Sequence, residues 1–82
     1  MTSPISRTTV LTLINEERMR QIEKLAYTEA HDDRHTVTDW VAILIHELGQ
    51  SLDCSGFSYT QFRAQMLKVA AVAVAAIEWS YR

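Results

Sequence analysis

Two histidines and two aspartates fall within the five positions His31-Asp32-Asp33-Arg34-His35, and a third histidine stands beside an acid at His46-Glu47. Imidazole nitrogens and carboxylate oxygens are the donors that zinc and harder divalent ions accept, so HDDRH is a candidate ligand cluster. Structural zinc sites need four convergent ligands, however, and neighbours in a short loop rarely converge. His31 and His35 share a face only if the stretch is helical. The competing reading is structural. Asp32 and Asp33 form an Asx-type turn, the histidines face water or cap a helix end, and the segment sets the start of the next helix. This reading asks less of the residues.

Glu47 lies next to Leu44 and Leu48, where a carboxylate is costly to bury unless it has a partner, a metal or an exposed orientation. It either faces solvent or bonds a neighbouring helix, or it is a ligand to a hard cation such as Mg2+ carrying a phosphate substrate. One carboxylate does not complete such a site. His46 offers an imidazole, a side chain suited to proton transfer, while Arg63 and Lys68 suit direct phosphate contact. Trp40, Tyr59, Trp79 and Tyr81 have faces on which a base could stack, but each belongs to or flanks an apolar stripe, which accounts for it by packing. No glycine-rich phosphate loop, nucleophile elbow or Cys-His pair occurs. Cys54 is single, which excludes an intramolecular disulfide and fits a reducing compartment.

Three helices are expected to position these groups. The first starts near Thr8 or Thr9 and runs to about Tyr27, with Leu11, Ile14, Ile22 and Leu25 toward a core and Glu16, Glu17, Arg18, Arg20, Glu23 and Lys24 on a solvated face. The second starts at Thr36, with Asp39 three residues on as the acid of a capping box. Val41, Leu44, Ile45, Leu48 and Leu52 form its buried stripe, widened by Trp40 and Ile43, and Gly49 marks close helix contact or fraying. Ser58 and Gln61 fit a capping box for the third, with Phe57 and Phe62 in the flanking staple positions. Phe62, Met66, Val69, Ala70, Ala73 and Ile77 make one stripe there, and Ala71, Val72, Val74 and Ala75 render its middle apolar on every side. The joints are 28–35 and 51–57, the second containing Gly56.

A chain of 82 residues is one domain at most, 1–82, and a core of that size contributes only a few kcal/mol, so a second subunit is the simplest remedy. Three helices cannot surround Val69 to Ile77, VAAVAVAAI. The expectation is a homo-oligomer, dimer or tetramer, that shelters it. The same run is well short of the ~20 residues needed to span a bilayer. MTSPISRTTV lacks a basic segment followed by an apolar run, so a cytoplasmic protein without a membrane partner is expected. Formal charge is -2 with both signs interspersed, and the third helix carries only Arg63 and Lys68 before its apolar run. Nucleic acid is not an expected partner.

The segment WVAILIHELGQ, followed after a short joint by FRAQMLKVAAVAVAAIEW, resembles the paired helices of the MazG-like all-α nucleoside triphosphate pyrophosphohydrolases. EERMRQIEK and HDDRH extend the resemblance toward the small MazG-like proteins of phages and mobile elements, from about Glu16 to Trp79. It implies an all-α, three-helix MazG-like subunit in an oligomeric helical bundle. In the enzymes of that superfamily a Glu-Glu-x-x-Glu pattern and a Glu-x-x-Asp pattern bind magnesium ions that hold the triphosphate. Laid on this chain, the first falls on His46, Glu47 and Gln50, and the second on Gln65 and Lys68. Only Glu47 keeps a carboxylate, and Lys68 repels a cation where the family's aspartate attracts one. The resemblance therefore implies a binding or interaction module with a degenerate metal site, the alternative being a magnesium-dependent nucleotide-binding protein or pyrophosphohydrolase. Asp32, Asp33, Glu16 or Glu17 replace the lost ligands only if the first helix and the joint fold over the site.

Overall fold

The computed structural model of the chain describes residues 5–50 and 58–82. All regular structure among them is helical, in four segments: α1 (Arg7–Leu25), α2 (Glu29–Asp32), α3 (Val37–Gln50) and α4 (Tyr59–Ser80). Instead of three helices there are four, because one helical turn, α2, stands inside the joint expected at 28–35. The Thr28 hydroxyl accepts the His31 amide at its start, and Glu29 adds an acid where the helix dipole favours one.

Helix boundaries follow local chemistry. Ser6 caps α1 by accepting from the Thr9 amide. Thr36 and Asp39 make the reciprocal capping box at α3, the Asp39 carboxylate accepting from the Thr36 amide at 2.8 Å and the Thr36 hydroxyl from the Asp39 amide at 3.2 Å. Ser58 and Gln61 do the same for α4. α1 stops two residues before Tyr27, because Ala26 enters the left-handed region at φ 56°, where its amide and that of Tyr27 both reach the Gln21 carbonyl. Phe57, Gly56, Cys54 and Leu52, with the rest of the joint at 51–57, lie outside the described residues.

α4 is the spine, and α1, α2 and α3 each pack against it. Trp40, Val72 and Ala75 are the buried apolar centre, edged by Ile43, Leu44, Ala76 and Trp79. Around this small core the expected burial is inverted in two places. On α1 the buried side chains are Arg18 and Gln21, whereas Leu11 and Leu25 are exposed. Arg18 is thus not on the solvated face; it sits four residues from both Ile14 and Ile22, in the middle of the stripe that meets α4. On α3 only Trp40 is fully buried, while Val41, Ile45 and Leu48 are 50, 64 and 46% exposed. Gly49 has open space around its Cβ position, so it marks no close helix contact.

The middle of α4 is divided. Ala71, Val72 and Ala75 are buried within the chain, Val69, Ala70, Ala73 and Val74 are half-buried, and Phe62 and Ile77 are exposed. No helix among the described residues is long and apolar enough to cross a membrane.

Candidate functional site

Arg18 organises the site. Its Nη2 donates to Asp32 Oδ2 at 3.1 Å, its Nε to Glu78 Oε1 at 3.2 Å and its Nη1 to the Tyr27 carbonyl at 3.1 Å. One guanidinium therefore joins α1, the turn after it, α2 and α4. Asp32 is 2% exposed, and a carboxylate so desolvated is tolerable only because the arginine faces it. The Asx-type turn expected at Asp32 and Asp33 does not form around these acids. Asp32 instead turns inward to Arg18, and Asp33 outward to Arg82, at 2.7 Å. That contact holds the Arg82 guanidinium pKa above its ordinary value.

The helical turn gives His31 and His35 a common side. Tyr27 stacks on His31 at 5.0 Å between ring centroids, His31 lies 5.0 Å from His35, and His35 lies 4.8 Å from Trp40. Trp79 closes this row of rings 6.2 Å beyond Trp40. His31 Nδ1 is 3.2 Å from Asp32 Oδ1, and His35 Nδ1 is 3.1 Å from the Asp32 carbonyl.

Tyr27, His31, Asp32, His35 and Trp40, but not Trp79, line one wall of a cleft of about 510 Å³. α1 contributes Arg18 and Gln21, α3 contributes His46 and Glu47 opposite, and Val72 and Ala75 of α4 form the floor. The first helix and the joint thus share one cleft with the segment carrying Glu47, and Asp32 is among its lining residues. Two wall residues, Gln21 and Trp40, hold buried polar atoms, Oε1 and Nε1, that have no hydrogen-bond partner among the described residues. Buried polar atoms are nearly always satisfied, so this cleft has unmet hydrogen-bonding capacity.

The other candidate residues are dispersed. Gln50 Nε2 donates to His46 Nε2 at 3.1 Å, one turn along the exposed side of α3. Gln50 and Lys68 line a smaller neighbouring cleft of about 230 Å³ together with Glu47, Gln21 and Arg20. Gln65 does not face Glu47 as one metal ligand faces another. Its amide nitrogen donates to the Glu47 carbonyl at 2.6 Å, satisfying one of the last four carbonyls of α3, which lack partners within the helix. Arg63 is exposed and lines neither cleft. Beside the smaller cleft, Arg20 makes two bonds of 2.8 Å to Glu17, which hold the Glu17 carboxyl pKa below its ordinary range.

Sequence reasoning missed Arg18, Gln21 and Tyr27 as wall residues. The signal for Arg18 was present in its register between Ile14 and Ile22. No protein-family model matches this chain, and no curated protein or solved structure is significantly similar to it.

Proposed function

We propose that the protein is a small oligomeric helical module of the phage or mobile-element type, on a MazG-like scaffold whose usual metal site is degenerate, and that it binds a partner or small polar ligand instead of hydrolysing one. The observation that carries this reading is the two-sidedness of α3. His46 and Glu47 line the cleft, while Val37, Val41, Ile45 and Leu48, spaced at one face of the helix, leave 66, 50, 64 and 46% of their surface exposed in the single chain. A face of four such side chains is stabilised by a second copy, and burying each contributes about 1.5–3 kcal/mol at most. Phe62, Met66, Val69, Ala70, Ala73 and Ile77 of α4 are the second stripe assigned to assembly.

The charge inventory argues against two-metal triphosphate chemistry. Asp32 is neutralised by Arg18, Gln65 caps α3, and Lys68 contributes a cation. Of the two carboxylates that line the main cleft, Asp32 and Glu47, only Glu47 lacks an ion-pair partner among the described residues. Two-metal phosphate chemistry depends on several such charges.

Light-scattering mass measurement tests the assembly. A dimer or tetramer is expected for the native chain, and a shift toward monomer for Val41→Lys combined with Ile45→Glu. A monomeric native chain at all concentrations would refute it. A panel of nucleoside triphosphates with magnesium tests the chemistry, no cleavage being expected. Cleavage to monophosphate and pyrophosphate, lost on Glu47→Ala, would replace this reading with the alternative. That alternative is a magnesium-dependent nucleotide-binding protein or pyrophosphohydrolase in which Glu47 and Asp32, brought into one cleft, share the work of the missing ligands.

A further inference from the structure

We infer that His31, Asp32 and His35 form a binding site for one first-row transition-metal ion of the zinc class, open to the cleft. The inference goes beyond the proposed function and rests neither on assembly nor on a nucleotide. Its basis is the donor set and its geometry. One ligand atom from each of the three residues lies within 4.8 Å of the other two. His31 Nδ1 and Asp32 Oδ1 stand 3.2 Å apart. Two ligands held about 2.0–2.2 Å from one tetrahedral ion are about 3.3–3.5 Å apart, so this pair already has the required span. The third ligand atom, on the half-buried His35 ring, lies within 4.8 Å of both, so completing the set calls for a further approach of that ring.

The surrounding bonds orient the ligands in the way metal sites require. A carbonyl can only accept, so the His35 nitrogen facing the Asp32 carbonyl carries the proton and Nε2 keeps the lone pair. Arg18 holds Asp32 by Oδ2 and leaves Oδ1 on the side of His31. Outer bonds of this kind fix ring orientation and carboxylate direction in metal centres. The cationic Arg18 is itself matched by Glu78 as well as Asp32, which limits its repulsion of a metal ion.

Two imidazoles and one carboxylate select zinc, cobalt, nickel or ferrous iron over magnesium and calcium, which prefer all-oxygen surroundings. Three protein ligands leave at least one coordination position for water or an anion. Independently of the ligand cluster, Trp40 Nε1 and Gln21 Oε1 in the same wall, buried and without a partner among the described residues, point to such an occupant, one as donor and the other as acceptor.

The test is calorimetry and thermal unfolding of the chelator-treated full chain titrated with zinc, cobalt and magnesium salts. Saturable uptake of one zinc ion per chain is expected, with a raised unfolding temperature, a cobalt absorption spectrum of four- or five-coordinate type, and no effect of magnesium at equal concentration. His31→Ala and His35→Ala are each expected to weaken zinc binding about tenfold or more, and the double variant to abolish it. Glu23→Ala, at an exposed carboxylate that lines neither cleft, is expected to leave zinc binding unchanged, which separates uptake at this site from nonspecific binding to surface acids. His35→Gln, which keeps side-chain volume, replaces His35→Ala if circular dichroism shows lost helix. Absence of zinc binding to the folded native chain would overturn the inference, as would undiminished binding by a folded double variant.

Discussion

Arg18 Nη2 stands 3.1 Å from Asp32 Oδ2, with 8 and 2% of the two side chains exposed, so a buried ion pair joins α1 to α2. Burying both charges costs more than burying two leucines, so the pair contributes position more than net stability. It fixes where α2 docks and thereby where the two histidines point.

Breaking the pair from one side is accordingly severe. Arg18→Ala is expected to destabilise the chain by about 3–5 kcal/mol, because Asp32 is left as an uncompensated buried charge. Arg18→Met combined with Asp32→Leu is expected to recover most of that loss while disordering the row of rings. Urea unfolding of the three proteins, read by circular dichroism, checks both statements. A single variant as stable as the native chain would show that Asp32 is solvated.

Gln65 makes a prediction opposite to the one a metal site would make. Introducing a carboxylate by Gln65→Glu sets a negative charge against the Glu47 carbonyl at the negative end of α3. A loss of about 1–3 kcal/mol is expected, from the lost donor and the unfavourable contact, whereas Gln65→Ala is expected to cost about 1 kcal/mol. Thermal unfolding with and without magnesium distinguishes the cases. Stabilisation of Gln65→Glu by magnesium would mean that the added carboxylate had created a cation site.

The capping box of α3 gives the pH dependence a definite sign. The Thr36 amide bond holds the Asp39 carboxyl below its ordinary pKa in the folded chain. Stability from this bond is therefore complete above the ordinary aspartate value, about 3.9, and is lost as pH falls through the depressed folded value. Asp39→Ala is expected to lower the unfolding temperature at neutral pH, and the gap from the native chain to narrow on acidification through that window. Unfolding midpoints measured across that pH range for both proteins give the comparison.

Ala26 occupies the left-handed region at φ 56°, a conformation that costs an L-residue about 1 kcal/mol. Ala26→Gly removes the strain but adds freedom to the unfolded chain, and a net gain of up to about 1 kcal/mol is expected. Denaturant midpoints test it. A destabilised Ala26→Gly would mean that the methyl group carries a contact outweighing the strain.

What could be read in advance was local. The Thr36–Asp39 and Ser58–Gln61 boxes announce themselves within four residues, since cap and partner share one turn, and both formed as the spacing requires. The all-helical class followed from the same periodicity. Burial was harder, because side-chain type is a poor guide where polar groups satisfy each other. Arg18 and Gln21 are buried through partners 14, 60 and 47 positions away, and no local pattern contains those separations. Val41, Ile45 and Leu48 were assigned inward on hydrophobicity, yet α4 is already occupied by Trp40, Ile43 and Leu44 of the same helix. HDDRH was legible as a cluster and ambiguous as a shape. The Thr28 cap followed by Glu29 was the clue to helix, but one turn is too short for periodicity to show.

The row from Tyr27 to Trp79 gives this molecule an optical readout of its own interior. Trp40 is 94% enclosed and packs on His35, and both rings line the cleft. Indole emission should therefore change in intensity and wavelength when the cleft fills, with Trp79→Phe leaving Trp40 as the sole tryptophan. Occupancy can then be followed in real time without attaching a dye.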